Sequence, residues 1–481
     1  MSKLPRLVLA GIVAALCAQP AAAENLLDVY RQAMESDPVL KAAVASRDAA
    51  QEAKPQARAL LLPSIGASVE QGQTFGIAGS QRGNDSYDSH NYAIALQQPI
   101  YNRASQVQQR LAEATVSQSD VDLRNAANEL ILRVARGYFG VLAAIDNLTF
   151  ATAEKDAFAR QLEQANRRFE VGLATITDVY DAQARFDGAV SSEIEAINTL
   201  ADAREALRQL TGQEYVQLNL LSERMPLALP EPQDAELWVR MALEYNLSLR
   251  SASFSVDQAR ENIKLQKSGH YPTLDLNLSR VSGDNSITDT SSSQVGLTLK
   301  IPIYSGGAVS SRSREAAYSY EATRQGLENL QRDTVRTVRN AYRGQQTAIS
   351  QIKALDQTRV STRSALEANQ AGYEVGTRTI VDVLDAERNV YRAERDYAAA
   401  RYSYIANYLT LKQAAGQLAD EDVNQINGWL GKPESTLPDR VSATAAAATA
   451  TSTAAATATA ATATAAPPAK NAAPARKPAA K

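Results

Sequence analysis

The chain has one cysteine in 481 residues, Cys17, so it has no internal disulfide framework. It has two histidines, His90 and His270, and no cluster at metal-ligand spacing. No glycine-rich phosphate loop or activated nucleophile stands out. These absences argue against an enzyme, a metal and a cofactor. Net charge is −3 with both signs interspersed, which excludes the basic footprint of a nucleic-acid binder. Beyond the first residues no run approaches the roughly 20 apolar residues of a membrane helix. Helical spanning is thereby excluded, but β spanning is not. Proline is missing between Pro99 and Pro226 and again between Pro302 and Pro433.

The two ends read differently from the rest. Lys3 and Arg6, the apolar run LVLAGIVAALCA (7–18) and Ala21-Ala22-Ala23 form a secretory signal over 1–23, with Glu24 as the expected mature start. Cys17 would leave with it. Leu16 directly before Cys17 fits poorly with lipid attachment. The tail, 433–481, is Ala/Thr-rich and then Pro/Ala/Lys-rich, a composition that buries no core and predicts disorder.

The body is written twice. Glu170–Ala182 reads EVGLATITDVYDA and Glu374–Ala386 reads EVGTRTIVDVLDA, identical at nine of thirteen positions and 204 residues apart. At the same offset Val134 and Tyr138 match Val338 and Tyr342, and LRQLTGQ (207–213) matches LKQAAGQ (411–417). LQQPIY (96–101) matches LKIPIY (299–304). Such spacing marks an internal duplication: a first repeat over 24–224, a Pro-rich linker over 225–233, and a second repeat over 234–432. Each repeat is expected to hold a helix, a strand pair and long helices.

The proline-free stretches are rich in good helix formers. Leu123, Ala127, Leu130, Val134, Tyr138, Val141, Ile145 and Leu148 recur in steps of three and four, a coiled-coil stripe. One helix from Asn102 to Val171 would be about 100 Å long at ~1.5 Å per residue. A rod this long must run along other rods. Gly172 and Gly376 suit left-handed helix ends. Thr175 with Asp178, and Thr379 with Asp382, have capping-box spacing, so a new helix restarts at each Thr. On these grounds the aspartates are caps.

Before each rod the period changes to two. Ile65, Ala67 and Val69 alternate with polar or small residues, as do Tyr92, Ile94 and Leu96. Leu274, Leu276 and Leu278 do the same, and so do Val295, Leu297, Leu299 and Ile301. Strand pairs are expected within 64–101 and 272–304, joined by polar loops at 72–90 and 280–293. Tyr101, Tyr271 and Tyr304 stand at the opposite strand ends, where a membrane-interface girdle belongs. A soluble β-sandwich face is the other reading, but it leaves the export signal and the attached rods unexplained. Four strands close no barrel, and lipid tolerates no open edge. Two chains give eight strands and three give twelve, with an interior that widens as strands are added.

Signal, duplication, strand pairs, rods and the two motifs together resemble the TolC family of outer-membrane efflux proteins. ENLLDVYRQA, LLLPSIG, GHYPTLDL and GTRTIVDVLDA carry the resemblance, which covers about residues 24–430. It implies a mixed fold: a homotrimeric channel-tunnel, with a twelve-stranded outer-membrane barrel continuous with a periplasmic α-helical coiled-coil barrel. It implies an exit duct for drug efflux or type I secretion, opened when a periplasmic adaptor and an inner-membrane RND or ABC transporter recruit it. It also implies that Asp382 and Asp385 form carboxylate rings at a periplasmic constriction, where mutual repulsion would raise some of their pKa values. A closing clamp would set Thr177 and Asp178 against Tyr373 and Arg378. The family pattern has an acid where this chain has Gln370, so a Gln161–Gln370 contact would be polar without charge assistance. Gly172, Thr175, Gly376 and Thr379 would form the tip that meets the adaptor. The competing reading, a secreted trimeric coiled-coil adhesin or scaffold, explains rods and export but not two strand pairs per chain.

Overall fold

The computed structural model describes residues 24–75, 87–223, 225–285 and 288–436. The expected signal, 1–23, and the tail from 437 lie outside the described residues. Among the described residues three helices come first, α1 (Leu26–Ser36), α2 (Pro38–Gln51) and α3 (Ala53–Ala59). Strands β1 (Ser64–Thr74) and β2 (Tyr87–Asn102) follow, then the helices α4 (Arg103–Glu170) and α5 (Ile176–Thr211) and the short strand β3 (Gln217–Leu221). The second half brings α6 (Ala235–Tyr245), α7 (Leu247–Lys267), β4 (Thr273–Asn285), β5 (Thr288–Lys300), α8 (Ala308–Glu374) and α9 (Ile380–Ala414). The last elements among the described residues are α10 (Asp420–Asn427) and β6 (Leu430–Ser435).

The strand pairs join into one antiparallel sheet in the order β1-β2-β4-β5. Register explains the sequence alternation. Ile65 pairs with Leu96, Leu96 with Leu278, and Leu278 with Val295, so the apolar positions of all four strands share one face. That face is exposed at Ile65, Val69, Tyr92, Ile94, Val295, Leu297 and Leu299. Among the described residues the outer edges of β1 and β5 have no partner strand.

The strand boundaries differ from the sequence reading at both ends of the sheet. Pairing runs on through Gly283↔Thr290 to Asn285↔Thr288 and through Gly72↔Ser89, so much of the expected loops is ladder. Their Ser, Thr, Asn and Asp residues looked like loop, but strand formation is set by cross-strand neighbours more than by composition. At the other end β5 stops at Lys300, short of Tyr304. Pro302, which has no N–H to give a ladder, follows closely.

The rods match the proline-free stretches. Asn102 caps α4, its side chain accepting from the backbone N–H groups of Ala104 and Ser105. The helix then runs 68 residues, about 100 Å. The 67-residue α8 is its repeat. Midway, the short elements pack against the rods. Leu130, Val134, Tyr138, Val141 and Ile145 of α4 join Leu26, Leu218, Val423 and Ile426 in one core. The Tyr138 hydroxyl donates to the Asn219 carbonyl at 2.8 Å, fixing β3 to the rod. The repeat-related Tyr342 packs with Trp238, Val338 and Leu411 in a second core. The Pro-rich segment also packs, since the Tyr404 hydroxyl donates to the Ala228 carbonyl at 2.9 Å. β6 pairs with β3 and continues through Ser435, past the boundary at 432. Pro433 lies opposite Asn219 in that ladder, a position that its neighbours in sequence do not reveal. Among the described residues no helix is long and apolar enough to cross a membrane.

Candidate functional site

Far from the sheet, each long rod makes a hard turn and a second helix starts. The two turns share one backbone solution. Gly172 has φ +75° and Gly376 φ +81°, conformations that a Cβ disfavours. In the first, the N–H groups of Leu173 and Gly172 donate to the carbonyls of Arg168 and Phe169. In the second, Thr377 and Gly376 donate to Gly372 and Tyr373. Both are Schellman ends, which satisfy the last helix carbonyls. Both restarts carry capping boxes. The Asp178 carboxylate accepts from the Thr175 N–H at 2.8 Å, and the Asp382 carboxylate from the Thr379 N–H at 2.9 Å. The Asp382 carboxylate also accepts from the Thr379 hydroxyl. These hydrogen bonds, with Arg378 nearby, hold the Asp382 pKa below its ordinary value. Within one chain this is opposite to the rise expected from repulsion between rings, because the cap stabilises the charged form.

Burial separates the turns. Ile176 is 44 % exposed and Tyr180 67 % exposed, whereas their repeat partners Ile380 and Leu384 are 1 % and 0 % exposed. The second restart is packed into a small core with Phe158, Ala165, Ala182 and Ala189 of the first repeat, with Tyr373 against it. The alanines let α9 come close to α4 and α5.

Ties along this seam run from mid-rod to the turn. The Tyr402 hydroxyl donates to Asp146 at 2.6 Å, and Arg395 pairs with the buried Glu154 at 3.1 Å. The Glu387 carboxyl is buried beside Arg160 and Gln161, and burial raises its pKa. Last comes Arg185 of α5, which donates to Asp385 of α9 at 2.7 Å.

The expected clamp residues are only partly assembled within one chain. Tyr373 is the meeting point: the Arg168 guanidinium lies 4.5 Å from its ring centre. Burial raises the Tyr373 pKa, Arg168 opposes that rise, and the charge of Asp178 adds to it. Asp178 itself is held in its own cap, and Thr177 is exposed. No ion pair joins Asp178 to Arg378 among the described residues. Arg378 folds over its own turn instead, so close that a Cβ on Gly372 would lie 2.6 Å from Arg378 Cγ. Among the described residues no hydrogen bond joins Gln161 to Gln370; Gln161 lies beside Glu387. Tyr101, Tyr271 and Tyr304 all lie at the rod end of the sheet and are exposed.

Sequence reasoning missed Arg168 and Arg185. A signal existed in the repeat: Arg168 is matched by Gly372, and Arg185 by Asn389.

An open sheet with an apolar outer face, continued by paired rods with sharp turns, is one module of a membrane duct. The outer membrane efflux protein model matches residues 29–213 and 238–417, one span in each half. The chain belongs to the outer membrane efflux protein family. It is 42% identical to the outer membrane protein TolC of Vibrio cholerae, over 85% of this chain and 94% of the relative. The Escherichia coli TolC is 39% identical over 87% and 88% of the two chains. The alkaline protease secretion protein AprF of Pseudomonas aeruginosa is 30% identical over 85% and 88%. Solved structures share the fold. VceC of Vibrio cholerae superposes with a TM-score of 0.71, covering 81% of this chain and 96% of that one at 16% identity. The Campylobacter jejuni CmeC channel superposes with a TM-score of 0.72, covering 85% and 91% at 18% identity. This family member is thus an outer-membrane exit duct, with its rods on the periplasmic side. It works together with other export components. The adhesin reading gives way to the family.

Proposed function

We propose that three copies of this chain close a twelve-stranded barrel in outer-membrane lipid and a helical conduit in the periplasm, and that the paired turns form its gate. The open four-stranded sheet with unpaired edges β1 and β5 carries this reading. In lipid those edges need the edges of other copies. The exposed Tyr101, Tyr271 and Tyr304 then sit at the periplasmic interface, where amphipathic rings are favoured.

At the far end Asp382 and Asp385 face the constriction as acidic rings that favour cations. Tyr373, Arg378, Asp178 and Thr177 hold it closed, with Gln161 and Gln370 adding an uncharged contact between copies. The tip of Gly172, Thr175, Gly376 and Thr379 meets a periplasmic adaptor, through which an inner-membrane RND or ABC transporter delivers cargo. The similarity to AprF supports protein secretion, and the family match supports efflux. Nothing in this mechanism needs a catalytic group, since transport through the open duct is passive.

Purified protein tests the assembly. Chemical cross-linking should stop at three copies, and the same material should conduct ions in planar lipid bilayers. A monomer that never conducts would refute it.

A further inference from the structure

We infer that Arg185 sets the charge of the inner aspartate ring and couples ion selectivity to gate opening. The inference rests on the gate reading above. The structure joins Arg185 Nη2 to Asp385 Oδ1 at 2.7 Å, and Arg388, one helical turn on, adds a second cation at 3.5 Å. Among the described residues no cation lies within ion-pair distance of Asp382. Its carboxylate is fixed by the Thr379 cap. The two rings therefore differ: one carries an acid bound by its own backbone, the other an acid bound by the opposite coil.

Arg185 lies on α5, a first-repeat helix, and Asp385 on α9, a second-repeat helix. Around them the coils meet through the apolar side chains of Ala182, Phe186 and Leu384. A hydrogen bond of this kind is lost once the partners separate much beyond 3.5 Å. Any displacement of the α8/α9 coil from the α4/α5 coil therefore breaks it. The side chains are 32% and 41% exposed, so water and salt screen the pair and it can be broken and remade. The duplication shows that the pair is directional. The repeat-related positions are Asn389 and Asp181, so the mirrored pair has an uncharged amide where Arg185 stands. In the resting gate Asp385 is neutralised by Arg185, and the entrance presents chiefly Asp382. As the coils part, Asp385 is freed into the widening pore.

The test uses the full-length protein in planar bilayers. It reads the reversal potential in a KCl gradient and the La³⁺ concentration that halves conductance. Arg185→Gln should shift the reversal potential toward stronger cation preference and lower the half-blocking La³⁺ concentration several-fold. Asp385→Asn should do the reverse, and the double variant should match Asp385→Asn alone. Arg185→Lys, which keeps the charge, should stay near the native values. If Arg185→Gln does not assemble, the exchange Arg185→Asp with Asp385→Arg should restore assembly and leave La³⁺ block weak. If Asp385→Asn changes block and Arg185→Gln does not, the role of Arg185 is wrong while the ring stands. If neither Asp382→Asn nor Asp385→Asn changes selectivity, the acidic-entrance reading itself fails.

Discussion

The two turns began as copies, and nine of thirteen motif residues are still the same. Their backbones agree down to the glycine angles and the capping boxes. Their surroundings do not. The first turn leaves Ile176 and Tyr180 exposed, whereas the second buries Ile380 and Leu384 against the first repeat's own rods. Shared residues build the turn, and unshared ones decide what it touches: Arg168 against Gly372, Phe169 against Tyr373, Ala174 against Arg378, Arg185 against Asn389. Duplication supplied two equal turns, and substitution gave them different surroundings.

The comparison breaks most readily in the core. Leu384→Ala removes a fully buried side chain and should cost about 2–5 kcal/mol in the stability of the lower coils. Tyr180→Ala, at the matching position, should stay within about 0.5 kcal/mol in the isolated chain. Limited proteolysis near Gly376, with thermal unfolding, separates the two. Equal losses would mean that the turns are packed alike.

Backbone changes should restore the symmetry. Gly172→Ala and Gly376→Ala each force a side chain into the left-handed region, at about 1–2 kcal/mol. Melting curves of the two variants should therefore coincide. A large gap would show that the shared turn geometry is not what stabilises each end.

The smallest effect concerns pH. Burial raises the Glu387 pKa above its ordinary 4.5, with Arg160 and Gln161 opposing the rise and Glu154 adding to it. The stabilising contribution of the protonated form is thus full below 4.5 and is lost as pH rises through the raised value. Asp382 has the opposite sign: its cap stabilises above 3.8 and is lost as pH falls through the depressed value. Glu387→Gln should raise the melting temperature at pH 7 and lose most of that advantage near pH 4. An advantage that grows on acidification would show that the sign is wrong.

Much of this molecule is legible in one dimension. Rod ends, glycine turns and caps depend on residues within one helical turn of each other, so Asn102, Gly172 and Thr379 could be read directly. The strand alternation fixed the sheet face, because the side-chain period is two whatever the partner. The polar hairpin ends were hidden, because cross-strand pairing and not composition makes them strands. β6 was hidden for the same reason, since its partner β3 lies some 200 residues away, beyond the reach of any local pattern. The Arg185–Asp385 tie spans 200 residues and depends on the helical phase of two separate rods. Only the mismatch with Asn389 hinted at it.

The central claim is that the second turn, and not its copy, holds the gate. Single-channel conductance in planar bilayers tests it most directly. Tyr373→Phe with Arg378→Glu should raise conductance several-fold, while Phe169→Tyr with Ala174→Arg, the mirrored change in the first turn, should leave it at the native level. Unchanged conductance in the first variant, or an equal rise in both, would contradict the account.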